Sequence, residues 1–277
     1  MTRLLVSGAG GMLGCDLVAL APQAVALGHG ELDITDPEAC RAAIASAGAE
    51  VVINCAAWTD VDGAEDAEEQ ALAVNGTGAA NLARAAREAG ARMVHVSTDY
   101  VFDGLASRPY VESDPTAPAS AYGRTKLAGE RAVLAASPEH AVVRTAWLFG
   151  VHGRSFPATM LRLAGSGSEE VAVVTDQIGC PTYTEHLARR LLEIAGAGSA
   201  GIHHAAGSGS CSWFEFARAI FAAAGLEVRV TPTSTEAFPR PARRPAWSVL
   251  GSERGGAPLP PWQEGLAAFL AARAVLA

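Results

Sequence analysis

Lysine is almost missing from this 277-residue chain: of 21 basic residues, only Lys126 is not an arginine. Basic runs are missing as well, and the formal net charge is -8. Nucleic acid and anionic membranes are therefore not expected partners. No apolar run reaches about 18 residues, so no membrane span is expected. The five cysteines are odd in number and form no C-x-x-C pair. They read as free thiols in a reducing compartment rather than a disulfide frame. A signal peptide is not expected, because MTRLLVSGAGG runs straight into a strand. These absences imply a soluble, cytoplasmic protein. Internal repeats and low-complexity linkers are also lacking.

What is present is apolar and helix-friendly. About half the residues are hydrophobic (49%), enough for a sizeable core in one large domain or two small ones. RLLVSG, AVALG, VVINCAA, ARMVHVST and HAVVRTAWLFG read as strands. Helices are expected from Pro37 onward, over Asp66–Gly90 and over Tyr122–Ala136. Thr35 or Asp36 would cap the first of these. EEVAVVTDQ and GIHHAAG read as later strands. Strictly alternating strands and helices predict an α/β fold: a Rossmann-type doubly wound parallel sheet. A smaller, partly interleaved α/β domain is expected beside it. Residues 1–147 plus about 173–205 are assigned to the dinucleotide-binding domain. Residues from about 148–172 plus 206–277 are assigned to the second.

The first strand ends in GAGGMLG, with Gly8, Gly11 and Gly14 evenly spaced and Gly10 an extra. Glycine permits positive φ and close approach of the backbone to a pyrophosphate. The following helix N-terminus then offers free N–H groups. A dinucleotide site is expected here, through Gly8, Gly10, Gly11, Met12, Leu13 and Gly14. At the end of the second strand, Gly28 and His29 stand where an NAD site usually has an acid. NADPH is therefore expected to be accepted, with NADH left open. His29 either touches the 2′-phosphate or is an ordinary surface histidine.

Tyr122 and Lys126 are four apart on a predicted helix and share a face. A nearby ammonium lowers a phenol's pKa and makes it a usable acid. Arginine cannot be deprotonated for such a role, which accounts for the one retained lysine. HVSTDYVF supplies Thr98 as a second donor at a strand's C-terminal end. Ser97 beside it either faces the cofactor or caps the strand.

At these residues the chain resembles the dTDP-4-dehydrorhamnose reductase family of extended short-chain dehydrogenases/reductases. The resemblance runs through GAGGMLG, LDITDPE, VVINCAAWTDVDGAE, VNGTGAANLA, VHVSTDYVFDG, YGRTKLAGE, VRTAWLFG, SFPATMLRLA, VTDQIGCPT and PARRPAWSVL. It implies a catalytic trio of Thr98, Tyr122 and Lys126. It implies Asp33 and Ile34 beside the adenine, Cys55, Ala56 and Ala57 along the cofactor, and Asn75 in support. It implies Val61, Asp99, Phe102, Trp147, Phe156, Gln177 and Arg243 toward a dTDP-4-keto-6-deoxy sugar. Trp147 would stack on thymine and Arg243 would hold a phosphate. The implied activity is NADPH-dependent reduction of the 4-keto group.

Some relatives hold Mg²⁺ between subunits through clustered carboxylates. Asp16 and Glu185 stand at matching positions, but Ala272 replaces the third, so no metal is expected. A monomer and a homodimer both stay open. Two other functions remain open: 4-ketoreduction of another nucleotide deoxysugar, and a non-catalytic NADP-binding regulatory subunit. His203 and His204 face opposite ways on a strand and read as structural.

Overall fold

The computed structural model describes residues 2–255 and 257–276. β1 (Leu4–Ser7) is buried throughout, as an apolar run between two covered faces must be. α1 (Met12–Leu20) returns the chain to β2 (Val25–Leu27). α2 (Pro37–Ala47) follows, with proline in its first turn. Its cap is Asp36, whose carboxylate takes the amides of Glu38 and Ala39. β3 (Val51–Asn54) and β4 (Arg92–Thr98) come next, then α4 (Ala121–Ala136) and β5 (Ala141–Thr145) after an intervening α3 (Ala79–Glu88).

The run expected as one helix over Asp66–Gly90 is broken. Short turns at Gly63–Asp66 and Glu68–Leu72 lead into a π segment, Ala73–Gly78, before α3. A π turn inserts an extra residue and re-aims a side chain. Here that side chain is Asn75. Its amide bonds the Trp58 backbone on both sides and the Thr125 hydroxyl.

Later come α5 (Phe156–Gly165), β6 (Glu170–Val174), α6 (Thr184–Ala197), β7 (Gly201–His204), α7 (Trp213–Ala223), β8 (Arg229–Thr233) and α8 (Trp262–Leu276). The main sheet has six strands in the order β7-β5-β4-β3-β1-β2, all parallel. Alternate residues serve its two faces. Val6 and Ile53 meet Leu17, Leu187 and Leu191 on one side. Leu5 and Val52 meet Ile44, Leu82 and Val133 on the other.

A third core gathers Phe149, Met160, Phe216, Trp262 and Phe269 away from the sheet. β6 pairs with β8, outside the main sheet. The boundary expected near residue 173 falls inside β6, so we place the chain's return to the sheet at α6. The sheet's strand order reverses at β1, with β2 to one side and β3 to the other. Ligands bind outside the strand ends at such a switch point.

Candidate active site

Gly8 turns the chain out of β1 at φ 71. A Cβ there would stand 2.5 Å from the Ala56 amide nitrogen, and one at Gly14 would run into the Gly8 carbonyl. Only glycine fits this close meeting of the two switch-point loops. Gly10 and Gly11 are exposed, and a Cβ at Gly10 would meet nothing within 4 Å. Gly11 caps α1 with no side-chain bond, and the first turn carries no acid. The open glycine cradle and the uncapped helix start fit a dinucleotide pyrophosphate. Met12 is half-buried. Leu13 points into the core, so only its backbone faces the cradle.

At the end of β2 the sequence suggests no acid. The structure supplies one: Glu31 folds back, and its carboxylate accepts the Gly28 amide at 2.8 Å. A three-residue spacing hid this carboxylate in the loop. His29 is exposed. Asp33 is exposed and turns its carboxylate onto the amide and hydroxyl of Thr35. That bond holds its pKa below the usual carboxylate range. Ile34 is buried.

Cys55, Ala56 and Ala57 form a half-buried loop across from Gly8. Asn54 holds the Ala56 amide at 3.0 Å, and Asn75 holds the Trp58 amide at 2.9 Å. Asn75 thus shapes this loop from behind.

Thr98 and Asp99 end β4, and Tyr122 and Lys126 lie on the first turns of α4. Ser120 caps that helix through the Gly123 amide, and Glu65 accepts the Ala121 amide. Tyr122 is half-buried beside the Thr98 side chain, and its ring meets Tyr100 edge to face at 5.7 Å. The Thr98 hydroxyl donates to Asp99 Oδ1 at 2.9 Å. Burial pushes the Tyr122 phenol up to about 12, the Asp99 carboxylate adds to this, and the Thr98 hydroxyl opposes it.

The expected lowering of the phenol by Lys126 is not found. Lys126 is buried, and burial lowers its own pKa to about 8. Its Nζ donates to the Val96 carbonyl at 2.7 Å and lies 3.4 Å from His95 Nε2. The Cys55 thiol also feels it, so Lys126 joins the site to the loop beside Gly8. Tyr122 therefore keeps its proton near neutrality, as an acid must before the reaction.

Five buried side-chain atoms lack a partner among the described residues: Asp16 Oδ2, Ser97 Oγ, Asp99 Oδ2, Thr145 Oγ1 and Arg244 Nη1. Thr145 is opposite Thr98 in register, and Arg244 is near enough to influence Tyr100. Four of the five therefore surround the strand ends beside Tyr122. Unpaired buried polar atoms are costly, and a polar ligand over these strands would satisfy them. Burial pushes Asp99, one of the four, up to about 6.

The residues implied for a sugar nucleotide separate into two groups. Val61 is half-buried on the loop after β3. Trp147 is half-buried and, at φ 47, is the one non-glycine residue with positive φ among those described. Such a conformation is strained for a bulky side chain. Its ring lies flat on Trp213, with centroids 3.5 Å apart, so one of its faces is already taken. Phe156 packs on Trp213 at 4.6 Å. Both ends of the Gln177 amide are engaged, by Trp213 Nε1 and the Thr235 hydroxyl. Gln177 thus orients Trp213.

Phe102 does not reach the cleft. It is 2% exposed, stacked on Tyr110 at 4.3 Å and covered by Arg144. The resemblance implies Phe102 for the sugar nucleotide, but in the fold its ring is packed in the core. Arg243 points to solvent, while Arg244 turns inward and pairs with Asp62 at 3.0 Å. Asp62 also pairs with Arg240 and accepts the Ala242 amide. This clasp holds residues 240–244 against the loop after β3. Neighbouring arginines look alike in a sequence; only their side-chain direction separates them. Arg244 and Trp213 are functional candidates beside the residues the resemblance implies.

Asp16 lies 3.7 Å from His152 and is raised by burial. Among the described residues, no three His, Cys, Asp or Glu side chains gather as metal ligands. No helix among them is long and apolar enough to cross a membrane.

A family model described as "RmlD substrate binding domain" matches residues 1–275. The dTDP-4-dehydrorhamnose reductase of Mycobacterium tuberculosis is 51% identical over 287 residues, covering 98% of this chain and 93% of that protein. A Streptomyces antibioticus protein, named as a probable dTDP-4,6-dihydroxy-2-methyloxan-3-one 4-ketoreductase, is 46% identical, covering 95% and 93%. The crystal structure of dTDP-4-dehydrorhamnose reductase from Bacillus anthracis in complex with NADP superposes with a TM-score of 0.95. It is 38% identical, with 98% of this chain and 100% of that one covered.

Proposed function

The chain belongs to the RmlD substrate binding domain family, and from that premise we propose that it is an NADPH-dependent 4-ketoreductase. Its substrate is a dTDP-4-keto-6-deoxyhexose, in the first place dTDP-4-dehydrorhamnose, reduced to dTDP-L-rhamnose. The carrying observation is the placement of a protonated, half-buried phenol, Tyr122, beside Thr98 at the C-terminal end of β4. The glycine cradle and the loop at Cys55 and Ala56 lie next to it and suit the dinucleotide.

The hydride for carbon 4 is the chemistry that bound NADPH supplies. Tyr122 gives its proton to the carbonyl oxygen: the phenolic O–H breaks as the alcohol O–H forms, leaving a phenolate. Thr98 becomes the second donor by turning its proton from Asp99 Oδ1 to the same oxygen. Lys126 supplies N–H groups toward the nicotinamide ribose and takes part in restoring the phenol's proton. Arg244, with an unpaired Nη1, is our candidate for the diphosphate, in place of Arg243. Trp147, backed by Trp213, offers its free face to the base. Val61 and Phe156 line the same side. We assign the enzyme no metal, no nucleic-acid or membrane partner and a cytoplasmic setting, as a monomer or a homodimer.

The test follows NADPH absorbance with dTDP-4-dehydrorhamnose and identifies the product by NMR. Faster turnover of a different 4-keto deoxysugar would favour the reading suggested by the Streptomyces antibioticus relative. Tyr122→Phe is expected to lose ~10²- to 10⁴-fold in kcat while NADPH affinity stays. Full activity in that variant overturns the assignment, and no turnover of any 4-keto sugar by the native chain favours a non-catalytic role.

A further inference from the structure

Ser7, Asn54 and His95 stand opposite one another on β1, β3 and β4. All three are buried, His95 completely. The row ends at Lys126, whose Nζ lies 3.4 Å from His95 Nε2. The direction of every bond in the row is fixed from its far end. The Ala56 amide can only donate, and it donates to Asn54 Oδ1 at 3.0 Å. The Ser7 hydroxyl donates to the same oxygen at 2.8 Å. The Asn54 amide therefore cannot be turned over without setting N–H against N–H. Its Nδ2 faces His95 Nδ1 at 3.1 Å and must donate there. A neutral imidazole accepting at Nδ1 carries its proton on Nε2, and Nε2 faces Lys126.

We propose that His95 is a positioning residue for Lys126: held by Asn54 with its proton on Nε2, it offers that N–H to the lone pair of the Lys126 amine. A free amine satisfies both neighbours at once. It donates to the Val96 carbonyl at 2.7 Å and accepts from His95. An ammonium has no lone pair, so it would set N–H against N–H at Nε2. Taking a proton thus requires a change of tautomer against Asn54, or movement of Lys126. The row favours the form of Lys126 that can accept a proton, and it does so in a chain that could have placed an arginine there.

The other groups facing Lys126 act in known directions. Glu130, one turn along α4, favours the ammonium, but it is already clamped by Arg144 of β5 at 2.7 Å. Cys55 at the end of β3 favours the ammonium too, though burial keeps its thiol protonated. Tyr122 on the same helix is neutral by the same cause. Burial disfavours the ammonium, and so does His95, whose own protonation burial and Lys126 both suppress.

The proposal rests on the reductase reading for its purpose, but its test needs no turnover. Because Lys126 is the chain's only lysine, protein made with ε-¹³C-lysine and no lysine-bearing tag gives one side-chain signal to titrate. With ¹⁵N-histidine, long-range ¹H–¹⁵N spectra report the His95 tautomer, assigned by the peak lost in His95→Gln. Should that variant not fold, the peak is assigned through contacts to Val96 and Asn54. Without added cofactor at pH 9, the expected result is a neutral His95 protonated at Nε2. Its nitrogen shifts should then move with the same midpoint as the Lys126 signal. Asn54→Ala, which frees the tautomer without adding charge, should raise that midpoint by one pH unit or more, a tenfold change. A proton on Nδ1, or His95 shifts that stay flat while Lys126 titrates, overturns the proposal. An unchanged midpoint in folded Asn54→Ala does so as well. Reductase failure with these results intact would refute the function and leave the arrangement standing.

Discussion

Replacing Asp99 by asparagine should remove a pH dependence from the stability of the fold. Asp99 is 3% exposed, and its Oδ2 has no partner. Burial raises its pKa from 3.8 to about 6, against the opposing bonds of Ser248, Thr98 and the Asp99 and Tyr100 amides. A raised carboxylate means that the folded chain holds this proton more tightly than the unfolded one. The fold is therefore free of penalty below pH 3.8 and loses stability as pH rises through about 6. Fully developed, the loss is ~3 kcal/mol, of which ~1.4 kcal/mol appears between pH 5 and 8. For a chain of this size that is a fall of about 3–6 °C in Tm. The asparagine variant has no proton to lose at this position. Thermal unfolding of both proteins at pH 5 and pH 8, without cofactor, gives the double difference, which cancels the fixed cost of a new amide. Parallel pH dependence in the two proteins would refute the account of Asp99 as a buried, strained acid.

Other outcomes follow from single contacts. Glu31→Gln should improve kcat/KM with NADPH over NADH by about fivefold, as a carboxylate leaves the region where a 2′-phosphate would lie; an unchanged ratio removes Glu31 from cofactor choice. Arg244→Ala should raise the KM for the sugar nucleotide roughly tenfold or more, whereas Arg243→Ala should change it little. Glu130→Gln leaves Arg144 uncompensated in the core and should cost ~3–5 kcal/mol in urea unfolding.

The fold was legible because its signals are local. β1 and β3 are short apolar runs, Asp36-Pro37 opens a helix, and glycines crowd the first strand–helix turn. Each holds wherever the chain goes next. The Tyr122–Lys126 spacing was legible for the same reason, since four residues on a helix make one face. What the sequence hid depends on distant partners. Asp62 clasps Arg240 and Arg244 from about 180 residues away. Trp213 gains its meaning only from Trp147 and Gln177. The break at Ala73–Gly78 answers to Thr125 on another helix. Phe102 was implied for the ligand by resemblance alone, and nothing local distinguishes a core aromatic from one in a cleft. The expected effect of Lys126 on Tyr122 failed on direction: a shared helical face did not prevent the amine from turning to β4.

A solitary lysine that is 2% exposed also makes the chain its own reporter of opening. Amine-directed reagents have one side chain to modify, and they must wait for α4 to lift from β4. The rate at which that side chain is modified, read apart from the α-amine, therefore measures how often the catalytic edge of the sheet comes apart.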